Sequence, residues 1–246
     1  MTDVAALGRI APPLLRARGL GRRYDDFVAL TNLAVEIGAG ELVALVGPNG
    51  AGKTTFLTLA AGLLEPTSGE VEITGRPAGS IDGRRALSYI PDAPVFYEDV
   101  SLGEHLGYVA ALHGVEDAEP RIARLLERLG LAEWKDALPG EFSRGMRQKA
   151  SIALGLVRPF SLLLADEPLD GLDPPSRAVF FELLAEVRTA GAAVVVSTHR
   201  PDVIAAASRC LGIREGRLVY DGPPDPEAIE EFFEYTVADR AAAEES

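Results

Sequence analysis

Apolar and polar positions change rhythm several times along this chain, and each rhythm predicts a different element. Through residues 14–46 short β-type segments recur, at 14–20, 28–37 and 41–46, with turn residues between them. The apolar run 42–46 meets the glycine-rich stretch 47–52, and residues 54–64 beyond it read as a helix. Two more strands follow at 71–74 and 86–90. After Pro91 the spacing turns helical at 102–112, 119–129 and 146–156 with few β-branched residues, which predicts an inserted helical subdomain over about 92–157. Strand signals return at 162–165, then a helix at 174–189, a strand at 193–197 and a helix at 201–208. Residues 213–220 read as a hairpin around Glu215-Gly216. Residues 1–13, with Pro12-Pro13, read as a loose leader, and the acidic stretch 223–246 reads as one helix with a frayed end. The alternation of strands with helices predicts an α/β fold.

Composition narrows the function. The chain has 246 residues, 47% of them hydrophobic, which is ample for a buried core. Its net charge of −13, from 37 acidic against 24 basic residues, makes a general nucleic-acid partner unfavourable, because the chain repels the phosphate backbone. Cys210 is the only cysteine, so no intrachain disulfide forms, in keeping with a reducing compartment. Asp3 and the lack of a basic start before an apolar run argue against a signal peptide. The most apolar runs are strand-sized, so a soluble protein with at most peripheral membrane contact is expected.

Chemistry enters at residues 47–55. Gly47-Pro48-Asn49-Gly50-Ala51-Gly52-Lys53-Thr54, with Thr55 behind it, matches the Gly-x-x-x-x-Gly-Lys-Ser/Thr phosphate loop at every specified position. Glycines let the backbone wrap closely, so that successive N–H groups point at phosphates where a helix begins. Lys53 is placed to span the β- and γ-phosphates of ATP, and the Thr54 hydroxyl to meet Mg²⁺. The apolar run Leu162-Leu163-Leu164-Ala165 then ends in Asp166-Glu167. A carboxylate there can hold Mg²⁺, and its neighbour Glu167 can serve as the general base that orients water.

In this order of motifs the chain resembles the nucleotide-binding subunit of ATP-binding cassette (ABC) transporters over residues 14–222. The resemblance implies a P-loop NTPase core of ABC type: a mixed sheet with helices, an N-terminal antiparallel β subdomain and an inserted α-helical subdomain. It further implies that Tyr24 stacks on adenine, although an ordinary half-buried strand tyrosine fits the position too. Asp173 resembles the loop that crosses the dimer interface, and His199 the histidine that contacts the γ-phosphate. His105 and His113 read as solvated or structural. By the same resemblance two subunits, expected to form a homodimer, close head to tail around two ATP molecules. They would sit on the inner face of the cell membrane against a separate membrane-spanning subunit, with export favoured over import.

Two departures from the family pattern stand out. The signature loop, usually Leu-Ser-Gly-Gly-Gln, here reads Phe142-Ser143-Arg144-Gly145-Met146. Ser143 and Gly145 keep a hydroxyl and an N–H at a helix start, aimed in trans at the partner's γ-phosphate, while Arg144 either points away or adds positive charge. The second departure is Asp92, which stands where the family has a glutamine reaching Mg²⁺. A carboxylate there offers an oxygen ligand but adds repulsion toward the γ-phosphate. Pro94-Val95-Phe96-Tyr97 lies where the family receives a helix from the membrane partner. Those aromatics read equally as anchors for that helix and as core. Phe232 and Phe233, among Glu230, Glu231 and Glu234, read as an amphipathic end helix or a contact surface. An iron–sulphur-assembly ATPase that moves no solute, and a weakly hydrolysing regulatory binder, remain open alternatives.

Overall fold

In the computed structural model, which describes residues 12–225, ten strands form two sheets accompanied by seven α-helices. The smaller sheet is antiparallel, in the order β2 (Phe27–Ile37), β1 (Leu15–Tyr24), β4 (Ser68–Ile73), β5 (Arg76–Pro77). The larger runs β10 (Arg217–Gly222), β9 (Arg209–Arg214), β3 (Leu42–Val46), β8 (Ala193–Ser197), β7 (Leu162–Asp166), β6 (Leu87–Ile90). Its five inner and far strands are parallel; β10 turns back antiparallel on β9. Every residue of β3, β7 and β8 is buried, as continuous apolar runs in a parallel sheet covered on both faces should be.

The period of two divides those strands between two cores. Val43, Leu45, Leu162, Leu164 and Val195 face α1 (Lys53–Ala60) and the antiparallel sheet, whose Leu15, Leu20 and Ile37 join them. Ala44, Val46, Leu163, Val194 and Val196 face the other way. There they meet the helical insertion and the C-terminal helices: α3 (Leu102–Leu112), α4 (Ala118–Arg128), α5 (Arg144–Leu156), α6 (Pro174–Thr189) and α7 (Pro201–Ala206).

Several boundaries differ from the sequence reading. The first helix ends at Ala60, because Gly62 takes φ 67° and the chain turns toward β4, which starts three residues earlier than expected. A six-residue helix, α2 (Ile81–Ala86), precedes β6; Ser80 caps it by accepting from the Gly83 N–H. It is too short to show an amphipathic period. The last hairpin turns at Glu215-Gly216 as expected, but β9 begins at Arg209 because β3 supplies it with a parallel neighbour. The leader up to Ala11 and the acidic C-terminal stretch beyond Asp225 lie outside the described residues.

Candidate functional site

The phosphate loop joins β3 to α1 with backbone angles open only to glycine at two points. Gly47 sits at φ 151°, where a Cβ would collide with the Ile213 carbonyl oxygen. Gly52 sits at φ 110°, with the Ala29 oxygen 2.7 Å from where a Cβ would stand. The loop is drawn tight by Ala51 N–H donating to the Pro48 carbonyl at 3.1 Å and by Gly216 N–H donating to the Ala51 carbonyl at 2.9 Å. Gly52 is the N-cap of α1 and offers no side-chain acceptor, and the first turn carries no acidic residue. The first-turn N–H groups, at the positive end of the helix dipole, are therefore presented to an anion.

Lys53 opens that helix and is buried, its Nζ donating to the carbonyls of Gly47 at 2.7 Å and Pro48 at 3.2 Å. Burial lowers its pKa below the ordinary 10.5, and the Glu167 and Asp166 carboxylates pull it back up. Lys53, Thr54 and Thr55 line a cleft of about 290 Å³ with Asn49, Gly50, Gly52, Asp92, Asp166 and Glu167. The two halves of the motif chemistry, 113 positions apart between Lys53 and Asp166, thus open on one space.

The acidic half is organised by Ser197, a residue the sequence reading passed over as a strand end. In the β7–β8 register Asp166 lies opposite Ser197. The Ser197 hydroxyl donates to Asp166 Oδ1, and the Ser197 Oγ in turn accepts the Glu167 N–H at 2.9 Å. Glu167 leaves the strand at φ 43°, a left-handed conformation that costs a non-glycine residue roughly 1–3 kcal/mol. Its N–H bonds to Ser197, to the hydroxyl and at 3.2 Å to the carbonyl, hold it there. The His199 ring meets the Glu167 carboxylate, Nδ1 to Oε2, at 3.2 Å. Asp170, also missed from sequence, completes a group in which it, Glu167 and His199 bring ligand atoms within 4.8 Å of one another.

Asp166 is the residue that fits a divalent cation. It is 2% exposed, and its Oδ2 is buried with no hydrogen-bond partner. A buried carboxylate oxygen left bare is costly unless a cation or its water meets it, and Mg²⁺ takes oxygen ligands such as this one and the Thr54 hydroxyl. Asp92 leaves β6 into the same cleft and is exposed. Burial of its carboxyl, then Asp166 and Asp170, raise its pKa, while Arg144 lowers it.

Burial raises the Glu167 pKa above the ordinary 4.5, with His199 and Lys53 opposing. A base is useful only when ionised, so hydrolysis should fall with acid in a window above 4.5, higher than for a solvated glutamate. The acid limb of a kcat–pH profile measures this, and a limb at or below the ordinary value would contradict Glu167 as the group that titrates.

The remaining sequence candidates lie around this centre. Tyr24 ends β1 opposite Phe27, with the Arg22 guanidinium 4.5 Å from its ring centroid. The hairpin residues that line the cleft are Phe27 and Ala29. Ser143 caps α5 by accepting from the Met146 N–H at 3.3 Å; Arg144 and Gly145 form the first turn, and none of the four lines the cleft. The Arg144 side chain is largely exposed, its guanidinium 3.7 Å from the Asp170 carboxylate. Asp173 is the N-cap of α6, accepting from the Ser176 N–H at 2.8 Å. Gln148, buried in α5, donates to the Pro168 carbonyl at 3.1 Å and ties the signature helix to the segment that follows Glu167. The groove aromatics divide: Phe96 is buried edge-on to His105 and Phe142, whereas Tyr97 is 71% exposed and stacks on His105.

A glycine-lined loop with a buried lysine, facing a strand-end Asp-Glu pair across a parallel sheet, defines a P-loop nucleoside triphosphatase. Comparison with known proteins makes this specific. Residues 30–170 match the family described as ABC transporter, and the chain belongs to that family as its ATP-binding, ATP-hydrolysing subunit. It is 35% identical to the SkfA peptide export ATP-binding protein SkfE of Bacillus subtilis, over 85% of this chain and 88% of that one. The lipoprotein-releasing system ATP-binding protein LolD of Paramagnetospirillum magneticum is 37% identical, over 82% and 94% respectively. Among solved structures, an ATP-binding subunit of an ABC transporter superposes with a TM-score of 0.82 at 32% identity, covering 89% of this chain and 93% of that one.

Proposed function

We propose that this chain is the Mg²⁺-dependent ATPase of an exporter and works as a homodimer on a separate membrane subunit. In this reading residues 14–222 form one ATPase domain with its helical subdomain at about 92–157. Gly47 to Thr55 bind the phosphates, and Tyr24, across the hairpin from Phe27, stacks on the base. Thr54, Asp166 and Asp92 hold the metal, which on binding neutralises charge that develops on the transferred phosphoryl group. Glu167 takes the proton of the attacking water; His199 orients Glu167 and contacts the γ-phosphate. Ser143 to Met146 and Asp173 act on the ATP held by the other copy. The observation that carries the reading is the bare Oδ2 of buried Asp166 beside Lys53, Thr54 and Glu167 in one cleft. Its test is phosphate release from ATP as a function of protein concentration and Mg²⁺. Release should vanish on chelation and rise more steeply than linearly with protein; metal-independent or strictly linear release would refute it.

Asp92 offers a finer check. Replacing it by glutamine removes a negative charge facing the γ-phosphate and keeps an oxygen ligand. Asp92→Gln should retain ATP binding and alter turnover only a few-fold, at most about 1 kcal/mol in barrier. Complete loss of nucleotide binding in that variant would show that Asp92 has another role.

Among the described residues no helix is long and apolar enough to cross a membrane, and in this reading the transport path belongs to the separate membrane subunit. Val95, Tyr97 and Tyr108, 90%, 71% and 65% exposed, rim a groove beside α3 suited to that chain. Tyr108→Glu should abolish co-purification with the membrane subunit and leave thermal stability unchanged, whereas Phe96→Ala should cost about 3 kcal/mol of stability. Thermal unfolding and detergent pull-down separate the two; unfolding of Tyr108→Glu would make the rim part of the core.

A further inference from the structure

Three side chains of different chemistry converge where β7 and β8 end. Glu167 and His199 follow strands that lie side by side, and His199 Nδ1 stands 3.2 Å from Glu167 Oε2. The Asp170 N–H donates to the Glu167 carbonyl at 3.1 Å, a turn that returns Asp170 to the same spot. One ligand atom from each of Glu167, Asp170 and His199 then lies within 4.8 Å of the other two. In a tetrahedral site with bonds of about 2.0–2.2 Å, neighbouring donors stand about 3.3–3.5 Å apart. The His199–Glu167 pair is already near that spacing. The widest separation closes by at most about 1.5 Å, within reach of a rotation of the Asp170 carboxyl group. Around the three, Asp92 and Asp166 add negative charge, opposed by the Lys53 ammonium and the Arg144 guanidinium. Lys53 is turned to the Gly47 and Pro48 carbonyls, and Arg144, 3.7 Å from Asp170 Oδ2, is too far for a hydrogen bond.

The histidine decides which metal such a group takes. Mg²⁺ demands an octahedron of oxygens, whereas one imidazole with two carboxylates suits Zn²⁺ and Co²⁺. We propose that Glu167, Asp170 and His199 form a Zn²⁺ site, separate from the Mg²⁺ position at Thr54 and Asp166, and that its occupation switches hydrolysis off. The ion meets a neutral imidazole and two ionised carboxylates, with the Nδ1 lone pair on the metal and the proton on Nε2. The His199 side chain is 61% exposed, so the ion enters from solvent and the fourth position stays open to water. Held between His199 and Glu167, it occupies the carboxylate that takes the proton of the attacking water. That consequence rests on the reading of Glu167 as the base; the binding rests on the donor set alone. The chain's other nitrogen and sulfur ligands are committed elsewhere. His105 spends both ring nitrogens on the Tyr97 N–H and the Ser101 carbonyl, and His113 lies within reach of the Arg158 and Arg85 charges. Burial pushes the Cys210 thiol up to about 12.

The test titrates the full, nucleotide-free chain with Zn²⁺ in excess Mg²⁺ by calorimetry, which should show one site. Co²⁺ in its place should give the visible bands of a four-coordinate ion without a thiolate charge-transfer band. Asp170→Asn and His199→Gln should each weaken Zn²⁺ binding at least about tenfold. Arg144→Gly, which removes the guanidinium near Asp170, should tighten it several-fold. Hydrolysis of Mg-ATP at buffered free Zn²⁺ should fall in step with occupancy and return when a Zn²⁺-selective chelator is added. Asp170→Asn should hydrolyse near the unsubstituted rate without Zn²⁺ and need at least about ten times more of it for the same loss. No Zn²⁺ binding in excess Mg²⁺, or binding unchanged in both Asp170→Asn and His199→Gln, would overturn the site. Full hydrolysis with the site loaded would overturn the switch and count against Glu167 as the base. A chain that binds Zn²⁺ through these residues yet hydrolyses no ATP in Mg²⁺ alone would uphold the site and fail the reading beneath it.

Discussion

Glu167→Gln should slow phosphate release by about 10²–10⁴-fold, the usual worth of a general base, while leaving ATP binding intact. Glutamine keeps the size of the side chain and the Ser197 bonds to the residue 167 N–H, which are made by backbone. What it loses is the ability to accept a proton from water and the charge facing His199 at 3.2 Å. With hydrolysis blocked, the closed dimer has no route to reopen, so ATP and a second copy should accumulate together. Size-exclusion chromatography of the variant with saturating Mg-ATP measures this directly. A variant that stays monomeric would rule out a homodimeric clamp and favour a different partner subunit.

Lys53→Ala should be as severe, but on binding. The ammonium makes charge-assisted hydrogen bonds, each worth about 1.5–3 kcal/mol, which corresponds to roughly 10–100-fold in affinity per bond. It also donates to the carbonyls of Gly47 and Pro48, so its removal releases the loop that positions the N–H groups. Nucleotide affinity measured by titration calorimetry should drop at least about 100-fold, with the variant still folded because only loop contacts are lost. Unchanged tight binding would refute the phosphate loop as the nucleotide site.

The nucleotide motifs were legible in the sequence because their constraints are local. Gly47 and Gly52 need backbone angles closed to other residues, and Lys53 must follow at once at the helix start. The buried strands β3, β7 and β8 were equally plain, since a run apolar at every position fits a sheet covered on both faces. Ser197 and Asp170 were missed for the opposite reason. Ser197 matters only through its pairing with Asp166, 31 residues away, and no period or motif records that register. Phe96 and Tyr97 are adjacent aromatics of similar hydropathy, so composition assigned both one fate, and their separation into core and rim depends on where Phe142 and His105 arrive.

By itself the sequence determined the fold class, the phosphate loop with Lys53, and the strand-end carboxylates Asp166 and Glu167. Each of these follows from short-range sterics and periodicity, which act over a few consecutive residues. The tertiary structure alone decided that a serine clamps the Asp166 carboxylate and the Glu167 backbone N–H, that the Arg144 guanidinium lies 3.7 Å from Asp170, and that Phe96 is buried while Tyr97 is exposed. Those features join residues from strands and helices far apart in the chain, and their geometry is set when the β7–β8 register and the docking of α3 against α5 are fixed.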